Sequence, residues 1–127
     1  MLDFYVVFDD KGTLREITKK FEKGSEAQIL LDKLIMAHCI KRMPKVTGQF
    51  IEDSKELNKQ FYGTGELVFP GPFAVRLNEG LTKDGRPFNF TTKFNPLAGS
   101  RWVERTWEDD GLLITSILQD RLDGGIF

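Results

Sequence analysis

The apolar and polar positions of this chain fall into distinct periods along its length. Near the N-terminus, Phe4-Tyr5-Val6-Val7-Phe8 is an almost unbroken apolar run, the pattern of a well-covered strand. Asp9-Asp10-Lys11-Gly12 supplies a turn in which Gly12 is free to take positive φ. From Thr13 to Phe21, Leu14, Glu16 and Thr18 alternate with Arg15, Ile17 and Lys19, the period of a half-buried strand. These pieces predict a β-hairpin. The period then changes. Ser25-Glu26-Ala27-Gln28 fits a capping box, with Ser25 as N-cap and Gln28 reaching back to it. A helix is predicted from Glu26 to Met43, apolar over more than half its circumference. Lys33, Lys41 and Arg42 mark its wet side, with Asp32 near the edge of that side. Pro44 and the stretch Lys45–Gly48 end it. Leu31, Leu34 and Ile35 are expected to pack against Val6, Phe8 and strand residues near Val75.

Residues 49–71 carry the weakest pattern. Gln49-Phe50-Ile51 suits a short strand, and Glu52 to Lys59 suits either one or two helical turns or an exposed loop. Gly63, Gly65, Pro70, Gly71 and Pro72 punctuate the approach to the next element. From Phe73 onward the expectation is β. Phe73–Gly80 and Arg86–Phe94 flank Thr82-Lys83-Asp84-Gly85, an Asp-Gly hairpin signal. Arg101–Trp107 and Leu112–Leu118 flank Glu108-Asp109-Asp110-Gly111, read in the same way. The resulting fold expectation is α+β: one long helix packed on an antiparallel sheet, flat or strongly curved, of about six or seven strands. At 127 residues the chain is expected to form a single domain, a hairpin-helix-strand unit over 1–78 with a β-hairpin extension over 79–127.

Composition narrows the function. Residues 1–48 hold nine Lys/Arg against seven Asp/Glu, and residues 49–127 nine against twelve, so neither half has the basic excess that phosphate binding requires. Nucleic acid is not expected as a partner. No apolar run approaches the length of a membrane span, so direct membrane insertion is not expected either. The single cysteine, Cys39, excludes an internal disulfide. A complete chain of this kind is expected in the cytoplasm, and an excised domain in the periplasm. Eleven Phe against two Trp and two Tyr points to aromatic residues used mainly for packing.

Three segments resemble the C-terminal domain of TonB-type energy transducers. Tyr5-Val6-Val7-Phe8-Asp9-Asp10-Lys11-Gly12-Thr13-Leu14 is similar to the hairpin of that family. Leu31-Asp32-Lys33-Leu34 through Lys41-Arg42-Met43-Pro44-Lys45 is similar to its helix and Met-Pro-Lys stop, and Gly71-Pro72-Phe73-Ala74-Val75-Arg76-Leu77 to its last strand. The resemblance covers residues 1–78. It implies a domain whose last strand offers an edge to peptide segments of a partner. At the other end, Thr82-Lys83-Asp84-Gly85-Arg86-Pro87-Phe88, Trp102-Val103-Glu104-Arg105 and Asp110-Gly111-Leu112-Leu113 resemble the later strands of intracellular lipid-binding proteins. That resemblance implies a small apolar ligand, a fatty acid or retinoid, held in a curved-sheet cavity.

The chain offers little legible catalytic chemistry. His38, the only histidine, and Cys39 are adjacent on a helix and point about 100° apart, so they do not form a nucleophile–base pair. No Cys/His spacing fits zinc, and no phosphate-binding or dinucleotide fingerprint is present, so no cofactor or metal is expected. Glu108-Asp109-Asp110-Gly111 lacks the spaced oxygens of a calcium loop and reads as a solvated turn. Arg76, Arg86, Arg101 and Arg105 would bind a carboxylate only if several pointed inward. Trp102 and Trp107, five apart on one strand, would face opposite sides, one core and one surface. The expectation is therefore a non-enzymatic module binding a protein or peptide partner by a sheet edge or face. Phe73, Val75, Arg76, Trp102 and Trp107 are its contact residues. A small hydrophobic-ligand carrier is the alternative.

Overall fold

A computed structural model of the chain describes residues 5–8, 13–45, 48–82 and 84–123. The elements run β1 (Tyr5–Phe8), β2 (Leu14–Ile17), α1 (Glu26–Cys39), a 3-10 turn (Ile40–Arg42), α2 (Gln49–Asn58), β3 (Glu66–Phe69), α3 (Ala74–Glu79) and α4 (Trp102–Asp123). The fold is α+β, with an antiparallel sheet in the order β1-β2-β3. The sheet of six or seven strands is not found. Among the described residues there are three strands and four α-helices.

The N-terminal elements follow from their sequence. β1 and β2 pair antiparallel, Tyr5 opposite Ile17 and Phe8 opposite Leu14. The predicted turn at residues 9–12 and the side chains of Val6 and Phe8 lie outside the described residues. On β2 the alternation holds, with Leu14, Glu16 and Thr18 buried. At the start of α1, Ser25 Oγ accepts from the Gln28 amide at 3.2 Å, closing half of the capping box. The other half is not made. The Gln28 side-chain Oε1 instead accepts from the amides of Lys20 (2.9 Å) and Phe21 (2.8 Å), tying the end of the hairpin to the helix. The α-helix gives way to the 3-10 turn after Cys39, and Met43 is extended (φ −80°, ψ 147°), as the residue before a proline must be.

The C-terminal half departs most from expectation. Phe73–Leu77, predicted as a strand, enters helix α3, and residues 86–94 form no strand beyond an isolated bridge of Leu81 with Pro87. The two predicted strands flanking Glu108–Gly111 are one 22-residue helix, α4. Trp102, Thr106, Asp110, Ile114 and Leu118 recur at four-residue intervals on the side that packs along α1, which is helical spacing. At Gly111, inside this helix, a Cβ would come within 3.2 Å of the Trp107 indole.

The core lies between the inner face of the sheet and helices α1 and α4. Leu31 and Ile35 are buried as expected and Leu34 is partly buried, but the neighbours they share the core with include α4 rather than a strand at Val75. Trp102 is fully buried, edge-on to Phe50 (centroids 5.8 Å apart) and Phe69 (5.4 Å). No described helix is long and apolar enough to cross a membrane.

Candidate functional site

The five residues expected to form a contact surface do not come together. Phe73 is 63% exposed at the N-terminal end of α3, followed by partly buried Val75 and exposed Arg76. Trp102 is core, so it offers no surface at all, and Trp107 is half-buried on the next turn of α4. The other arginines are also dispersed. Arg86 pairs with Asp84 and Arg101 with Glu104 at the surface. Arg105 donates to the carbonyls of Ser100 (2.7 Å), Leu97 (3.0 Å) and Arg42 (3.0 Å), fastening the loop before α4 to the end of the 3-10 turn. It is a structural fastener, not a ligand-binding guanidinium.

Two polar clusters and one lone carboxyl in the interior were not legible beforehand. The first centres on Asp32 of α1, which was placed at the edge of the wet side and is fully buried. Its Oδ2 accepts from the amides of Gly63 (2.8 Å) and Gly65 (3.2 Å), and its Oδ1 from Gln28 Nε2 (2.9 Å) and the Thr18 hydroxyl. Gly65 has φ +83°, and a Cβ there would lie 2.9 Å from the Lys19 backbone, so only glycine brings this amide to the carboxylate. Burial raises the Asp32 pKa, and the four hydrogen bonds oppose that rise.

The second cluster joins α1 to α4. Asp110 Oδ2 meets His38 Nδ1 (3.0 Å), Lys41 Nζ (3.0 Å) and Arg42 Nη1 (3.1 Å). Arg42, expected on the wet side, is 3% exposed and also donates to the His38 carbonyl (3.1 Å) and to Asp109 (3.3 Å). The Arg42 hydrogen bond, with those of His38 and Lys41, holds the Asp110 carboxyl well below the usual range. A His–Asp contact is two-thirds of a hydrolytic triad, but among the described residues no Ser, Thr or Cys side chain is hydrogen-bonded to His38. The adjacent Cys39 thiol is buried, bonded to the Met36 carbonyl (3.3 Å), and burial pushes its pKa up, so it stays protonated. The cluster is a helix–helix joint. Among the described residues no group of His, Cys, Asp and Glu is arranged to hold a metal ion.

The third feature is Glu16, 2% exposed on the inner face of β2. Its cross-strand neighbour on β3 is Leu67, and it is within electrostatic reach of Glu104 and Cys39. No hydrogen bond to its carboxyl is found among the described residues. Burial, reinforced by Glu104, pushes its pKa up to about 8.

The two edges of the sheet are treated differently. At the outer edge of β3, the Asn58 side chain acts as a substitute strand: its Nδ2 donates to the Val68 carbonyl and its Oδ1 accepts from the Val68 amide, both at 2.8 Å. That edge is closed by α2. β1 pairs with β2 on one side, and among the described residues no strand pairs with its other side. Open depressions lie among the described residues. A groove of about 370 Å³ lies between α1, α2 and Phe94, and an apolar one of about 530 Å³ lies between Thr13, Leu57 and Pro70–Pro72.

Comparison with protein-family models, with curated proteins and with solved structures found no match.

Proposed function

We propose that the domain is a non-catalytic binding module that takes an extended segment of a partner protein along the outer edge of β1. The observation that carries this reading is the asymmetry of the sheet: on β3 the amide and carbonyl of Val68 are occupied by the Asn58 side chain, and β1 has no strand partner on its outer side among the described residues. A strand edge presents unpaired amides and carbonyls, and strand addition is a common use of them. β1 spans four residues, so an added strand gains few backbone bonds, each worth about 0.5–1.5 kcal/mol net. Binding of this kind is weak unless side-chain pockets add to it. The edge expected at Phe73–Leu77 is not part of this reading, because that segment is helical. The carrier alternative draws no support from the interior, where Trp102, Phe69 and Leu14 fill the space between sheet and helices.

Proline scanning tests the reading. In an antiparallel pair successive amides point alternately to the partner strand and away from it. Val6→Pro and Val7→Pro therefore behave oppositely: one removes a ladder bond and destabilises the domain, the other removes only an outward amide. Titration with a panel of synthetic Val/Thr-rich octapeptides, followed by amide NMR, is expected to perturb β1 amides. The perturbation should disappear in whichever variant remains folded. Shifts confined to the helices, or β1 amides in the free domain as protected as those of β2, would refute it.

A further inference from the structure

Trp102 and Asn78 each bury a polar atom that the fold leaves without a protein partner. Trp102, at the start of α4, is fully buried, and its ring is met edge-on by Phe50 and Phe69. Its indole Nε1–H donates to nothing among the described residues. Asn78 is 8% exposed near the end of α3, and its Oδ1 is buried and accepts from nothing among them. Buried polar groups without a partner are costly, and native interiors hold few of them. These two are of opposite kind, one donor and one acceptor.

They belong to one junction. The amide of Arg101, the residue before Trp102, donates to the Asn78 carbonyl at 3.0 Å. A Cβ at Gly80 would come 3.2 Å from the Cβ of Ser100, so the end of α3 and the chain entering α4 run side by side. Asn78 lies one helical turn after Ala74, which belongs to the same core cluster as Trp102. Ala74 and Asn78 are the buried positions of α3, and Arg76 and Glu79 are exposed. The Trp102 and Asn78 polar atoms are nevertheless not in hydrogen-bonding contact with each other.

We infer that a single water molecule is bound in this junction, accepting from Trp102 Nε1–H and donating to Asn78 Oδ1. Chemistry carries the assignment. The pair needs one small molecule that both accepts and donates, and buried waters in proteins answer to about two to four such groups. A cation would be repelled by the indole N–H, an anion by the amide oxygen, and an apolar molecule would leave both atoms unpaired. The bridge fastens the inward side of α3 to α4, beside the direct bond from Arg101 to the Asn78 carbonyl. It does not involve β1 and stands independently of the edge reading.

Water-selective NOE and ROE spectra of the nitrogen-15-labelled chain test it. The Trp102 indole resonance is the one that survives in Trp107→Phe. In the wild-type chain its Nε1–H is expected to show NOE and ROE cross peaks of opposite sign to water, the mark of a water held far longer than those of the surface. Ser100→Ala should keep the cross peaks, which excludes relay through the neighbouring hydroxyl. Asn78→Asp keeps an acceptor and should retain them. Asn78→Leu removes it, and should lose the cross peaks and move the indole proton upfield. No such cross peaks in the wild-type chain would overturn the proposal, whether or not Asn78→Leu folds. So would cross peaks that vanish in Ser100→Ala or Asn78→Asp, or that persist unchanged in Asn78→Leu.

Discussion

Two carboxyl groups are buried between the sheet and α1, and the chain handles them in opposite ways. Asp32 collects four donors: two backbone amides from the Gly63–Gly65 turn, the Gln28 side-chain Nε2 and the Thr18 hydroxyl. Glu16, two residues before Thr18 on the same face of β2, stands opposite Leu67. The difference comes from where the backbone has donors to spare. A glycine turn leaves amides outside any ladder and lets them approach a side chain closely. β2 is the middle strand, so its amides and those of its neighbours are directed along the sheet plane, and the face above Glu16 presents none. An acid rising from that face must find side-chain donors or keep its proton.

The largest way to break the contrast is Asp32→Ala. It orphans two amides, a carboxamide and a hydroxyl in the interior, and is expected to cost roughly 3–5 kcal/mol in denaturant melts, since each buried unpaired donor costs about 1–3 kcal/mol and some regain water. A loss under about 1 kcal/mol would mean that the knot is not structural.

Glu16 makes the next effect, and its sign differs from that of Asp110. Below the ordinary Glu value of 4.5, Glu16 is protonated folded or unfolded and adds no pH dependence. Above it the unfolded chain ionises while the folded one holds the proton to about pH 8, so stability falls as pH rises between those values. Asp110, held low in the fold, contributes stability that is present above the ordinary value of 3.8 and lost as pH falls below it. Asp32, raised too, acts in the same direction as Glu16, so stability is maximal on the acid side of neutrality, and Glu16 alone accounts for a loss of roughly 2–4 kcal/mol from there to pH 8. Glu16→Gln should flatten the upper limb and leave the acid limb in place. An unchanged upper limb would move the cause elsewhere.

Gly65→Ala sharpens the Asp32 side of the comparison. The positive φ and the approach to the Lys19 backbone together predict a cost of about 2–3 kcal/mol. Gly24→Ala serves as the control: it has a similar φ but no atom within 4 Å of a Cβ, and should cost only about 1–2 kcal/mol.

The elements that the sequence made legible are those defined by neighbours in the chain. Ser25 and Pro44 bracket the helical segment, and the alternation of Leu14, Glu16 and Thr18 is that of a strand with one buried face. The misreadings share a cause. In α4 the inward stripe includes Thr106 and Asp110, so its apolar members alone look irregular, while Asp110-Gly111 looks like a turn. Asp110 is inward because Arg42, 68 residues earlier, meets it there. Asp32 and Arg42 read as solvent-facing for the same reason: their partners are distant in sequence, and nothing local announces them. The edge closed by Asn58 was equally hidden, since an asparagine at the end of a helix reads as a cap and not as a strand.

A carbon-13 NMR titration of the Glu16 side-chain carboxyl tests the contrast most directly. The account predicts a midpoint near about 8 in the folded protein, with the fold intact through the transition. A midpoint near the ordinary 4.5 would contradict it, because Glu16 would then be ionised at neutral pH and the inner face of β2 would hold a donor or a path to water.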